Sequence, residues 1–293
     1  MSQADPAPAL PLRERLHALY PGASGRTLKQ WLTLGRVRVN GAVVGRGDVL
    51  VEARARVDLG RPAPPCPAPL RLVHEDAHLV VIDKPAGLLA IATETERSRT
   101  AYRLLQDWMH VRGEGRIFVV HRLDRETSGL LVFARAPAVK QGLQAQFRRR
   151  SAERVYVARV EGVVREDAGE LTSRIVEDRS LRVRSVGGAS RAGGGGSRRA
   201  GASRGKEAIT RYRVLRRVRG ATVLQLTLIT GRRGQIRAQL AERGHPIVGD
   251  RGFGSARDPF GRVCLHATRL GLTYPAGRRM VFESPVPPDF LRP

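Results

Sequence analysis

Apolar and polar positions change rhythm along this chain, and the changes divide it. Residues 12–59 form a first unit: a helical stretch at 13–20, another near 26–34, then Val37-Arg38-Val39-Asn40-Gly41-Ala42-Val43-Val44. The Asn40-Gly41 step between β-branched residues is a hairpin signal, and an alternating segment, 49–59, follows it. Residues 61–69, Arg61-Pro62-Ala63-Pro64-Pro65-Cys66-Pro67-Ala68-Pro69, are too poor in backbone donors for a helix or an inner strand, and they read as a stiff linker. From residue 70 onward short apolar runs dominate, with strands predicted near 70–74, 79–82, 118–120, 130–134, 155–160, 209–216 and 223–230. Helices are predicted at 100–110, 138–149 and 232–243. In the second of these Leu143 and Phe147 stand four apart on one face, and Arg148, Arg149 and Arg150 crowd the last turn, where the helix dipole favours cations. The pattern predicts an α+β chain: a small unit at 1–60, a linker at 61–69 and a β-rich domain at 70–293.

A stretch at about 186–206 breaks this order. It holds Ala192-Gly193-Gly194-Gly195-Gly196-Ser197-Arg198-Arg199 and more Gly, Ser and Arg, cannot bury a core, and is expected to be mobile when free. Composition alone assigns it no role.

Charge narrows the partners. The 293 residues carry 52 Lys and Arg against 27 Asp and Glu, a net charge of +25, which favours a polyanion, with RNA first. Only Lys29, Lys84, Lys140 and Lys206 are lysines, so 48 cations are arginines, able to stack on bases and grip phosphates. No apolar run of about 18 residues is present to span a bilayer, and the first twelve residues lack the features of a signal peptide. The expected address is the cytoplasm, without membrane contact and as a monomer. Cys66 and Cys264 are too few for a disulfide framework, and no spacing of Cys and His predicts a metal site.

The chemistry concentrates in one loop. Val119-Val120-His121-Arg122-Leu123-Asp124-Arg125-Glu126-Thr127-Ser128-Gly129-Leu130-Leu131 sets a lone Asp124 between Arg122 and Arg125, flanked by two strand-like runs. An acid held beside opposite charge stays ionised and can act as nucleophile or base. The residues alone fit a surface turn with a salt bridge as well as an active site. The string itself, His-Arg-Leu-Asp-x-x-Thr-Ser-Gly-Leu-Leu, resembles the catalytic loop of the RluA-type RNA pseudouridine synthases.

Five further stretches resemble that family in order: Asp83-Lys84-Pro85-Ala86-Gly87, Arg154-Val155-Tyr156-Val157-Ala158, Thr230-Gly231-Arg232-Arg233-Gly234-Gln235-Ile236-Arg237, Gly244-His245-Pro246-Ile247-Val248-Gly249-Asp250 and Leu265-His266-Ala267. The resemblance implies a mixed, mainly antiparallel catalytic sheet with flanking helices. It also implies a cofactor-free isomerisation of uridine with Asp124, Tyr156 and Arg237 as the catalytic set: Asp124 acting on the sugar, Tyr156 packing on the base, Arg237 ion-paired with Asp124. Arg122 would enter the RNA stack as the uridine is extruded, with His121, Arg125 and Thr127 beside it at the substrate. One position departs, Gly234, where the family usually has His. In the first unit, Gly35-Arg36-Val37-Arg38-Val39-Asn40-Gly41 resembles the core of an S4-type RNA-binding domain, which implies phosphate contacts from Arg26, Lys29, Arg36 and Arg38. The residues also fit a generic αα-β module. The favoured partner is 23S rRNA, then tRNA; a non-catalytic RNA-binding assembly factor is a further reading. A glycosidase would need a second carboxylate, and only Glu126 lies near.

Overall fold

The computed structural model describes residues 9–60, 64–94, 96–177, 183–187, 205–274 and 277–292. Most of the Gly/Arg-rich stretch, 188–204, and residues 61–63 of the linker lie outside the described residues.

The first unit comprises β1 (Leu10–Pro11), α1 (Leu12–Leu19), α2 (Gly25–Thr33), β2 (Val37–Val39), β3 (Ala42–Val43), β4 (Leu50–Val51) and β5 (Val57–Leu59). Ser24 starts α2 by accepting a 3.1 Å hydrogen bond from the Thr27 amide, satisfying a donor that a helix start leaves open. Leu12 and Leu16 of α1 and Leu28 and Leu32 of α2, each pair four apart, close on Val37 and Val51. The β2–β3 turn has φ of 51° at Asn40 and 83° at Gly41, the two positive values that the Asn-Gly signal announces.

The larger unit comprises β6 (Arg71–Glu75), β7 (Leu79–Lys84), α3 (Ala101–Val111), β8 (Phe118–Val119), β9 (Ser128–Ala134), α4 (Pro137–Arg148), β10 (Glu153–Glu161), β11 (Ala168–Glu177), β12 (Val183–Val186), β13 (Lys206–Val218), β14 (Ala221–Leu228), α5 (Gln235–Glu242), β15 (Leu265–Thr273) and β16 (Arg279–Glu283). Its 11-stranded sheet runs β12-β11-β13-β14-β10-β15-β9-β7-β6, with β16 on β15 and β8 on β9. Every pairing is antiparallel except β9 with β15.

The continuous apolar runs of β7 and β9 serve two faces at once. Val80, Ile82, Leu131 and Phe133 face the core under α3, and Leu79, Val81, Leu130 and Val132 face the core under α4, as the two-residue period of a strand requires. Burial on both sides is why these strands read as runs and not as alternation.

Some sequence expectations for this unit change. The helix predicted from 232 begins at Gln235, because Gly234 occupies the N-cap with φ of 60°. Strands β11, β12, β15 and β16 have no counterpart in the prediction. β11 turns only Leu171, Ser173 and Ile175 inward while Glu170, Thr172 and Arg174 face out, so its pattern resembles a polar connection.

Two features frame the site. The parallel seam pairs only Ser128 with His266 and Gly129 with Ala267. Gly129 has φ of 111°, and a Cβ there would sit 2.3 Å from the Ala267 carbonyl oxygen, so the strands meet only because the residue is glycine. At the far edge of β7 and β9, four side chains form a closed ionic ring. Arg112 pairs with Glu75 at 2.9 Å and Glu114 at 2.6 Å, and Arg135 pairs with Glu75 at 3.1 Å and with Glu114. Among the described residues no helix is long and apolar enough to cross a membrane.

Candidate active site

The loop between β8 and β9 carries Asp124 into a cavity of about 530 Å³, walled by the end of α4, by β10, and by the turn from β14 into α5. The loop is held from below. Lys84, fully buried, donates to the carbonyls of Pro85 (2.8 Å), Leu88 (2.6 Å) and Arg125 (3.1 Å), and the Gly87 amide donates to the Arg125 carbonyl at 2.9 Å. Burial pushes the Lys84 ammonium down to about 8, against the opposing pull of Glu126 and Asp124. Leu123 and Thr127 are buried on either side, leaving the Asp124 side chain 22% exposed.

Arg237 answers Asp124 from α5, its Nη1 3.9 Å from Oδ2. That is the looser of its two pairings. Nε and Nη2 donate to the Asp250 carboxylate at 2.6 and 2.7 Å, Asp250 is buried, and the guanidinium lies 4.7 Å from the Phe253 ring centroid. The expected Arg237–Asp124 pair is present, and Asp250 joins it as the chief partner of the guanidinium. The sequence neighbours do not supply the cation either. Arg122 is exposed at the cavity, while Arg125 lines a separate depression with Pro85, Gly87, Glu96 and Arg99.

The placement of α5 rests on two buried amides. The Gln235 oxygen accepts from the Thr230 hydroxyl (2.8 Å) and the Arg232 amide (3.0 Å), and its nitrogen donates to Ile209 O and Thr210 Oγ1. Gln239 donates to Leu171 O and Ala208 O, both at 3.0 Å. Buried amides with all groups matched fix the helix in one rotation about its axis, and that rotation aims Arg237 at the cavity. Gly234 starts the helix in a left-handed conformation, and a Cβ there would meet Val183 and Phe253 at 3.4 Å.

Tyr156 comes from β10, 8% exposed, opposite Leu226 on one side and Ala267 on the other. Burial pushes its phenol up to about 12, with Arg154 opposing and Asp124 adding to the shift. The ring is an uncharged platform at neutral pH. His121 stacks on Phe147 with centroids 4.7 Å apart and accepts a 3.3 Å hydrogen bond from the Val132 amide. Burial lowers its pKa to about 3, so it is neutral and serves as cavity wall.

At the seam, Arg262 donates to Ser128 Oγ (2.5 Å), which leaves the hydroxyl proton for His266 Nδ1 (2.8 Å). His266 Nε2–H then donates to Ser284 (3.0 Å), and Ser284 to Asp83 (2.5 Å). None of Arg26, Lys29, Arg36 and Arg38 lines the cavity. Arg26 and Lys29 are exposed on α2; Arg36 donates to Gly60 O at 3.2 Å, and Arg38 to Gly41 O at 3.1 Å and Arg112 O at 3.3 Å.

Sequence reasoning missed Asp250, Gln235, Arg154 and the Ser128–His266 link as site residues. The signal for Arg154 was its place two before Tyr156 on a strand, hence on the same face. The others meet their partners only through the fold.

The model of the family described as RNA pseudouridylate synthase matches residues 78–242, a span holding Asp124, Tyr156 and Arg237. The chain is 35% identical to ribosomal large subunit pseudouridine synthase D of Pseudomonas aeruginosa, covering 93% of this chain and 87% of the relative. It is 32% identical to an uncharacterized RNA pseudouridine synthase of Aquifex aeolicus, covering 92% and 88%. Among solved structures, human RNA pseudouridylate synthase domain containing 4 superposes with a TM-score of 0.63 at 26% identity, covering 75% of this chain and 90% of that one. Most of the chain's length is shared with these relatives and the matched span contains the Asp124 loop, so the chain belongs to the RNA pseudouridylate synthase family.

Proposed function

We propose that the protein isomerises specific uridines of large-subunit ribosomal RNA to pseudouridine, with Asp124 as the reactive carboxylate. The observation that carries this reading is the placement of Asp124. It is a partly exposed acid facing a cavity with a buried tyrosine, beside a guanidinium that a second, buried carboxylate already holds. The reaction breaks the N1–C1′ bond of uridine and forms C5–C1′; C5 gives up its proton and N1 ends protonated, so nothing external is consumed. Asp124 works on the ribose, as nucleophile at C1′ or as base on the sugar, and both roles start from this placement. Tyr156 keeps the freed uracil stacked while it turns. Arg237, donating two hydrogen bonds to Asp250, holds its charge near Asp124 without closing onto it. Arg122, exposed at the cavity, fills the gap left in the RNA when the uridine is flipped out.

The ribosomal RNA assignment rests on the name of the Pseudomonas relative and on the +25 net charge. The first unit, S4-like in sequence, supplies additional RNA affinity through exposed Arg26 and Lys29, and the protein works as a monomer in the cytoplasm, where that RNA is found. The test is chemical mapping of pseudouridine in ribosomal RNA and tRNA from cells with and without this protein. Signals in 23S rRNA should vanish and return with wild type but not with Asp124→Asn. Loss confined to tRNA would move the substrate, and no loss in either pool would sink the reading.

A further inference from the structure

Seven arginines line the cavity, and they are not equivalent. Arg122, Arg148, Arg150 and Arg233 are exposed, Arg232 is half-buried, and Arg237 is held by Asp250. Arg154 alone is more than nine-tenths buried, at 8% exposure, and among the described residues it has no carboxylate partner. Its Nη2 makes two long contacts, 3.3 Å each, to the carbonyls of Leu228 and Ile229, and its guanidinium lies 5.6 Å from the Phe147 ring centroid. Nε is buried with no acceptor among the described residues. Nη1 packs so closely on Gly231 that a Cβ there would lie 2.3 Å from it, and it too has no acceptor among the described residues.

A buried charge is costly unless paired, and a guanidinium does not escape by losing its proton. The pocket thus carries an unanswered positive charge deep in its wall. Its surroundings say which anion answers it. Asp124, Tyr156 and Arg154 line the same cavity, Asp124 from the β8–β9 loop and Arg154 from β10 two residues before Tyr156. A nucleotide seated with its ribose at Asp124 and its base on Tyr156 has one permanent anion left to place, its phosphate, which Asp124 repels and the Arg154 guanidinium attracts. Exposed Arg148 and Arg150 at the end of α4 and Arg233 in the β14–α5 turn line the same cavity as Arg154.

We propose that Arg154 is the phosphate seat of this pocket, its guanidinium binding a non-bridging oxygen of one phosphodiester linkage flanking the target uridine. This rests on the reading of the cavity as a uridine site and adds a binding residue to it.

The test uses the full-length protein and a hairpin transcribed from 23S rRNA. Arg154→Gln is expected to weaken binding about ten-fold or more, the scale of a lost charge-assisted contact, and to lower the salt slope by about one phosphate. Arg154→Lys should recover part of the loss. Gly231→Ala, which displaces the guanidinium without removing it, should reproduce the weakening in a chain whose melting temperature is unchanged. Methylphosphonate linkages placed one at a time along the hairpin give the decisive readout. One linkage should cost the wild type about ten-fold and cost Arg154→Gln nothing further. Unchanged affinity in Arg154→Gln, or a loss shared evenly by all linkages in both proteins, overturns the proposal. So does a fall in turnover with affinity intact, which would assign the guanidinium to the base. Pseudouridine formation by the wild type is scored separately, so its absence would defeat the uridine reading while the binding data still judge Arg154.

Discussion

Two clusters of buried charge in this molecule follow opposite rules. In the ring of Arg112, Glu75, Arg135 and Glu114, every charge has two opposite partners and the sum is zero. At the cavity the sum is left open: Arg237 is satisfied by Asp250, Asp124 stands 3.9 Å off, and Arg154 has no anion. A closed ring fixes geometry and has nothing left to offer a ligand. An open set costs stability and keeps its unmet charges for substrate, which is the pattern expected where function and stability compete.

The comparison can be broken at several points. Asp124→Asn should abolish turnover, by more than about 10³-fold given what an essential reactive group supplies, while RNA affinity stays within a few-fold; retained turnover in single-turnover assays would remove Asp124 from the reaction. Asp250→Asn should lower turnover about 10²-fold, because Arg237, released from its bidentate partner, closes onto Asp124 and locks it. If turnover is unchanged in that variant, Asp250 does not set the gap. Glu114→Gln, on the closed ring, should do the reverse. Unfolding free energy falls by about 3 kcal/mol as two arginines lose a shared partner, and kcat does not move.

A pH series sharpens the same contrast. Burial lowers His121 to about 3 and His266 to about 4 from an ordinary 6.5. Their depressed values mean the unfolded chain binds more protons below pH 6.5, so the stability they contribute is complete above that pH. It is lost as pH falls through about 4 and then about 3. Denaturant melts at pH 7 and 4.5 should show the decline, and His121→Phe should reduce it. The smallest effect belongs to the surface: Arg26→Gln with Lys29→Gln should weaken RNA binding only a few-fold and flatten its salt dependence by about two phosphates. An unchanged slope would show that α2 does not touch RNA.

Much of the site was legible in sequence because its key residues sit in short, distinctive strings. Asp124 lies in a loop between two apolar runs, and the structure places that loop between β8 and β9, at the cavity. Tyr156 and Arg237 reach the same cavity from a strand and a helix. What could not be read was who answers whom. Arg122 and Arg125 are the obvious neighbours of Asp124, yet the loop turns Arg125 away, and only the family resemblance, not the spacing, pointed to Arg237 of α5 as the counter-charge. Asp250 follows Arg237 by 13 positions across a turn, and no periodicity links them. The pattern of β11 was hidden because it buries Ser173 between Leu171 and Ile175, and an inward-facing polar residue erases the alternation that marks a strand.

The two-residue seam at Gly129 also sets an order in time. Ser128 and His266 are 138 positions apart, and the contact that joins β9 to β15 brings β9, which follows the Asp124 loop, one strand away from β10, which bears Tyr156. Contacts of such long sequence separation form late and slowly, and a chain emerging from the ribosome makes its N-terminal part first. A nascent chain that stops short of residue 267 therefore carries the proposed trio of Asp124, Tyr156 and Arg237 in its sequence, yet lacks the strand that closes the site. On that reading activity waits for β15, not for Asp124.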